Sequence, residues 1–132
     1  NALRIACDIG KKYGSEIHLV YIVHPETVGI AVGAVAGFHA ATTMETAAEV
    51  KAAGEKLLAS GTAIAKGYGH DNVKTHMYRG KPADQILECA EECGADLIVT
   101  GRRGLGAVGS LLLGSTTQRV NKLAKCACLS IA

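Results

Sequence analysis

Ala2, Ile5, Ala6 and Ile9 fall at helical spacing, with Lys11 and Lys12 after them and Gly14 placed to close the last turn, so the chain opens on a helix. Glu16 to Val23 reads EIHLVYIV, β-branched and nearly all apolar, the pattern of a strand covered on both faces. Residues 24 to 42 are rich in Gly and Ala and follow neither period. A second helix is predicted from about Thr43 to Lys66. Glu45, Glu49, Lys51, Glu55 and Lys56 mark its wet side, Ala48, Ala52, Leu57, Leu58 and Ile64 its drier positions, and Gly67 and Gly69 end it. Val73 to Tyr78 is a short strand, and Arg79-Gly80-Lys81 turns the chain. Pro82 suits the first position of a third helix, with Ile86, Leu87, Ala90 and Cys93 on one side and Gly94 closing it. Asp96 precedes the apolar strand LIVT. A Gly-rich loop, a helix opening near Ser115 and a last strand from about Ala127 to Ile131 complete the order.

Strands alternating with helices require right-handed crossovers, hence an open parallel sheet with helices on both faces, an α/β fold in one domain over residues 1–132. A start on a helix is unusual for such a fold. Either Asn1 is an N-cap, or the sequence begins inside a domain whose first strand is missing.

Composition sharpens this in three ways. With 48% apolar residues but only four Tyr, one Phe and no Trp, the core must be built from Ala, Val, Ile and Leu. No run of 18 apolar residues is present, which argues against a membrane span, and no signal peptide is visible. Five cysteines form no CxxC pair, so they read as reduced thiols packed as small hydrophobes in a cytoplasmic protein. The histidines His18, His24, His39, His70 and His76 show no metal spacing and are placed at surface or strand positions, with no metal expected.

The formal charge of +2 is distributed unevenly. All twelve acidic residues lie between Asp8 and Asp96, where nine basic residues precede Leu97; from Leu97 onward only Arg102, Arg103, Arg119, Lys122 and Lys125 are charged. An acid-free tail suits a small anion, a membrane surface or nucleic acid.

The loop from Val99 to Val120, VTGRRGLGAVGSLLLGSTTQRV, decides among these. A Gly-rich loop leaving the carboxyl end of a parallel strand is where open α/β sheets bind ligands. Glycines let backbone N–H groups approach a phosphate, and the helix opening at Ser115 turns its positive end to the same place. Ser115, Thr116 and Thr117 add hydroxyls. Gly104-Leu-Gly106-Ala-Val-Gly109 matches GxGxxG, but a dinucleotide fold needs an acid about 20 residues on, and Ala124 and everything after it lack one. Gly80-Lys81 is followed by Pro82, so no Walker A motif is present.

The spacing that fits is Gly101, two residues, Gly104, nine residues, then Gly114-Ser115, after an apolar strand. This G-2x-G-9x-G-(S/T) pattern resembles the nucleotide-binding motif of the universal stress protein family. ALRIA looks like that family's first helix, HLVYIV its second strand, Gly80-Lys81-Pro82 its G-x-P turn, and ADLIVTGRRG and LLLGSTTQRV are similar to its consensus. CACLSIA resembles the final strand, where Cys-Pro-Val is more usual. The resemblance runs along essentially the whole chain and is most specific over residues 94–132.

The resemblance implies a five-stranded, Rossmann-like parallel sheet that binds ATP or AMP, with Mg accompanying ATP. It places Thr100 and Gly101 on the adenosine side, Gly104 near ribose and phosphates with Arg103 beside it, Gly114, Ser115, Thr116 and Thr117 around the phosphates, and Ile22 against adenine. It also implies a homodimer through the last strand, Cys126 to Ala132. The family's first strand, ending in an Asp that helps hold adenine, has no counterpart, and a sheet lacking its central strand would break in two. A regulatory nucleotide-binding protein of the stress response is therefore expected. A slow ATPase or self-phosphorylating protein using Ser115 or Thr116 is the alternative. Nucleic-acid binding through the basic tail, which lacks interleaved aromatics, is the weaker one.

Overall fold

The computed structural model describes residues 1–23, 47–102 and 114–132. Along these the order is α1 (Ala2–Tyr13), β1 (Ile17–Val23), α2 (Ala47–Gly67), β2 (Val73–Arg79), α3 (Pro82–Glu92), β3 (Leu97–Gly101), α4 (Ser115–Leu123) and β4 (Ala127–Ile131). The Gly/Ala-rich segment after β1 and the first turns expected of the second helix lie outside the described residues.

α1 ends as its sequence dictates, with Gly14 at φ 65° in the left-handed region that favours glycine. Asn1 occupies the N-cap position through its carbonyl alone: the Ile5 N–H donates to it at 3.1 Å and its side chain caps nothing.

β1 and β2 are parallel, in register from Ile17 opposite Val73 to Val23 opposite Arg79. β3 and β4 are parallel from Leu97 opposite Ala127 to Gly101 opposite Ile131. Among the described residues the strands thus form two two-stranded sheets rather than one continuous sheet.

Helices cover both faces of the β1–β2 pair. Tyr21 and Met77 meet Gly54 of α2 on one face, while the neighbouring Tyr78 donates a hydrogen bond to Glu92 of α3 at 3.3 Å. Successive strand residues point to opposite faces, so α2 and α3 lie on opposite sides.

α2 corrects the expected pattern. Leu57 and Ile64 are 58% and 42% exposed, and Ala48 and Ala52 are exposed too; the face turned to the sheet is Val50, Gly54, Leu58, Gly61 and Ala65. The large side chains come from the sheet, and the helix answers with small ones. A Cβ on Gly54 would sit 2.6 Å from Tyr21 Cε1, and one on Gly61 3.0 Å from Leu19 Cδ1.

His70, just past α2, departs from the surface or strand placement expected of it. It is buried, and its Nε2–H donates to the Cys7 carbonyl at 2.8 Å, tying the end of α2 to α1.

In the second half Ala83, Ile98 and Val120 form a core cluster, with Ile86, Leu87, Ala90, Ala124, Cys126 and Cys128 packed on it. It contains no aromatic ring, as the composition requires. All five thiols are free, with Cys7 and Cys89 buried. Burial pushes the Cys7, Cys89 and Cys128 thiols above their ordinary value, which disfavours the nucleophilic thiolate and suits packing residues. Among the described residues no helix is long and apolar enough to cross a membrane.

Candidate functional site

The carboxyl end of β3 and the amino end of α4 face one another across the Gly-rich loop. Three hydrogen bonds fix that relation. The Gly114 N–H donates to the Arg102 carbonyl at 3.0 Å, the Arg102 N–H donates to the Ile131 carbonyl at the end of β4 at 2.6 Å, and the Thr117 hydroxyl donates to the Gly101 carbonyl at 3.0 Å. Both ends of the loop are therefore anchored to the strand ends.

α4 begins without the usual protections. Gly114 stands at its N-cap with no side chain to offer, and its first turn holds no acidic residue. The first intrahelical bond runs from the Gln118 N–H to the Gly114 carbonyl at 3.0 Å. The N–H groups of Ser115, Thr116 and Thr117 have no partner within the helix, and the positive end of the helix dipole is not offset by a local carboxylate. This is a place for an anion.

The structure gathers six of the residues expected at a nucleotide site. Thr100 is half-buried and Gly101 exposed at the end of β3; Gly114 is half-buried, Ser115 exposed, Thr116 half-buried and Thr117 buried. Thr117 plays a part that the spacing did not suggest: its hydroxyl hydrogen is committed to Gly101, so what it offers a ligand is its backbone N–H. Ile22 is the last residue but one of β1, in the other two-stranded sheet, opposite Tyr78. Arg103 and Gly104 lie outside the described residues. Arg102 and Ile131 contribute backbone groups to the anchoring of the loop, for which residue type gives no signal.

Thr117→Val is expected to cost about 1 kcal/mol of stability, since it keeps the side-chain shape but removes the hydrogen bond that ties α4 to the end of β3. Thr117→Ser should recover most of that loss. Urea denaturation midpoints measure both.

The positive tail is more balanced than its sequence implies. Arg119 bonds Asp84 at 2.9 Å and Lys125 bonds Glu91 at 2.9 Å, so acids of α3 neutralise two of its five cations. That corrects the picture of an unopposed field and leaves the helix start as the stronger anion-directing feature.

A separate cavity of about 230 Å³ lies at the other end of β3, lined by Leu87, Ala90, Ile98, Ala124 and Cys126 among others. Its wall is mostly apolar, and the cation on it, Lys125, is paired with Glu91. Among the described residues no group of three or more His, Cys, Asp or Glu is placed to hold a metal ion. Tyr78 is no acid–base candidate either, because hydrogen bonding to the Cys89 thiol, burial and the nearby Glu92 carboxylate push its phenol up to about 12.

Known proteins similar to this chain fall in one family. The model of the universal stress protein family matches residues 1–131. A universal stress protein of Methanocaldococcus jannaschii is 33% identical over 131 residues, 98% of this chain and 72% of the relative. One of Bacillus subtilis is 36% identical over 85 residues, 63% of this chain and 55% of the relative. Among solved structures, a universal stress protein from Archaeoglobus fulgidus superposes with a TM-score of 0.69 at 18% identity, covering 99% of this chain and 86% of that one. A universal stress protein in complex with cAMP superposes with a TM-score of 0.63 at 21% identity, covering 98% and 83%. At these identities the structural likeness speaks for the fold.

Proposed function

Because this chain belongs to the universal stress protein family, we propose that it is a regulatory adenine-nucleotide-binding protein of the stress response, acting in the cytoplasm. The observation that carries this reading is the uncapped, acid-free start of α4, held at the carboxyl ends of β3 and β4. A phosphate placed there accepts hydrogen bonds from the Ser115, Thr116 and Thr117 N–H groups and from the Ser115 and Thr116 hydroxyls. Thr100 and Gly101 then flank the adenosine, Gly104 and Arg103 approach ribose and phosphate, and Ile22 packs on adenine. A relative in complex with cAMP supports an adenine ligand. ATP or AMP is the expected occupant, with Mg accompanying ATP.

Mass spectrometry of the protein purified under native conditions tests this directly. A retained adenine nucleotide, or micromolar binding of ATP or AMP by calorimetry, is expected; a bare protein that binds neither would sink the reading.

Ser115 is exposed beside that phosphate position, which favours one second reading, self-phosphorylation. The γ-phosphoryl would pass to the Ser115 oxygen, ADP would leave, and the hydroxyl proton would go to solvent. Labelled ATP separates the two. Label retained as intact nucleotide supports binding, whereas label bound covalently at Ser115 or Thr116, or metal-dependent phosphate release, supports transfer.

The ion pairs of Arg119 and Lys125 count against the tail as a nucleic-acid surface, where free cations set affinity. β4 pairs with β3 along one edge. Its apolar residues favour covering the other edge by a second copy, as a homodimer through Cys126 to Ala132. Sedimentation at micromolar concentration should show a dimer.

A further inference from the structure

The face of the β1–β2 pair turned toward α3 carries a row of near-parallel rings. His18 and His76 stack with centroids 5.1 Å apart and planes 9° from parallel, and Tyr78 follows at 6.1 Å and 8°. The imidazoles are also hydrogen-bonded, His18 Nδ1 to His76 Nε2 at 2.9 Å. On its other side His18 Nε2 meets Glu16 Oε1 at 2.6 Å, and that same oxygen is bonded by Lys74 Nζ at 3.1 Å. The His18 side chain is only 18% exposed, so water replaces these partners poorly.

Proton positions in this row are constrained. An ionised carboxylate only accepts, so His18 Nε2 carries a hydrogen. The imidazole–imidazole bridge needs one hydrogen and has room for one. With His76 Nδ1 bare the pair is neutral; with Nδ1 protonated the pair carries one added charge, and the bridge survives in both cases. A second added proton puts two N–H groups face to face across 2.9 Å, and the bridge is lost.

We propose that His18 and His76 form an acid-sensitive latch between β1 and β2 that holds with no added proton or one and opens with the second. The charged and titratable groups facing the row agree with this. From β1 and the residue before it, Glu16 favours the first proton. Hydrogen bonds from His18 and Lys74 hold its carboxyl below the ordinary value, so it stays ionised across the range where histidines titrate. From β2, the Lys74 cation opposes the second proton, and Tyr78 stays neutral. From α3, Glu92 and Cys89 engage Tyr78 at the far end of the row.

In the unfolded chain each imidazole takes its own proton. Below about pH 6 the unfolded chain therefore holds two protons where the latched state holds one. Linkage then lowers the folding equilibrium constant about ten-fold for each further pH unit. The latch stands apart from the nucleotide reading and would survive its failure.

Imidazole ¹⁵N NMR on the intact chain, from pH 7.5 to 5, is the direct test. At most one added proton on the His18–His76 pair is expected while the β1–β2 amide signals persist, with the second arriving as those signals are lost. Two added protons on the pair with the β1–β2 signals unchanged would overturn the proposal. Urea midpoints give an independent measure. His76→Gln offers His18 an amide that accepts or donates, and it should remove the ten-fold-per-unit loss between pH 6 and 5. Equal pH slopes for that variant and the parent chain would also overturn the latch. If the variant does not fold, the NMR measurement on the parent chain decides alone.

Discussion

Gly54→Val is expected to destabilise the fold by about 3 kcal/mol, a large part of the ~5–15 kcal/mol typical of a domain. The cause is local. A Cβ at this position lies 2.6 Å and 2.7 Å from Tyr21 Cε1 and Cδ1 and 2.9 Å from Met77 Cε, closer than carbon atoms approach. The methionine end can swing aside. The Tyr21 ring sits between strand and helix, so α2 must lift from the sheet or the ring must leave its place, and overpacking of this kind costs roughly 1–3 kcal/mol, offset by only a few tenths of a kcal/mol from valine's slightly better helix propensity than glycine's.

Gly54→Ala should lose less, because alanine's helix propensity, worth about 1 kcal/mol over glycine, offsets part of the clash. Gly67, at the end of the same helix, has nothing within 4 Å of its would-be Cβ. Gly67→Ala is thus the control and should be near neutral. Urea denaturation at unchanged slope ranks the three variants. A Gly54→Val protein as stable as the parent would show that α2 does not rest on Tyr21 as described.

On the proposed nucleotide reading, Ser115→Asp is expected to weaken ATP binding strongly while leaving the protein slightly more stable. The opposite signs make the test informative. A carboxylate in the first turn of α4 interacts favourably with the uncompensated helix start, by about 0.3–1 kcal/mol. The same carboxylate confronts the incoming phosphate. At about 4 Å and an effective dielectric near 20, one pair of like charges costs about 4 kcal/mol, so a loss of ~100-fold or more in ATP affinity is expected. Ser115→Ala removes one neutral donor only, and about a ten-fold loss or less should follow. Titration calorimetry with ATP and thermal melting of the free protein give the two numbers. Affinity unchanged in Ser115→Asp would move the phosphates away from α4.

Much of this molecule was legible before any coordinates. The helix stops at Gly14 and Gly94, the Pro82 start and the apolar strands follow from local chemistry that neighbours do not override. Gly114-Ser115 opened α4 where the loop pattern put it. Periodicity misassigns the α2 face because hydrophobic size is a poor guide when the partner sheet supplies the large side chains. Leu57 and Ile64 look like core residues, yet Gly54 and Gly61 take the contact because Tyr21 and Leu19 already fill the space. The tail's charge is overstated by sequence for a related reason, since Asp84 and Glu91 lie far back in sequence and come beside Arg119 and Lys125 only once α3 packs against α4. The His18–His76 bridge needs the strand register, which alternation alone leaves open.

The core of the second half has a kinetic corollary. Ala83, Ile98 and Val120, with the residues packed on them, all come from the stretch between α3 and β4. The α1–α2 tie through His70 and Cys7 instead spans most of the first half. The entropy of closing a chain segment rises with its length, so contacts between near neighbours in sequence form with the smaller initial loss. The half that carries α4 and its uncapped first turn is therefore expected to form first. The β1–β2 layer, with its paired histidines, then condenses onto it.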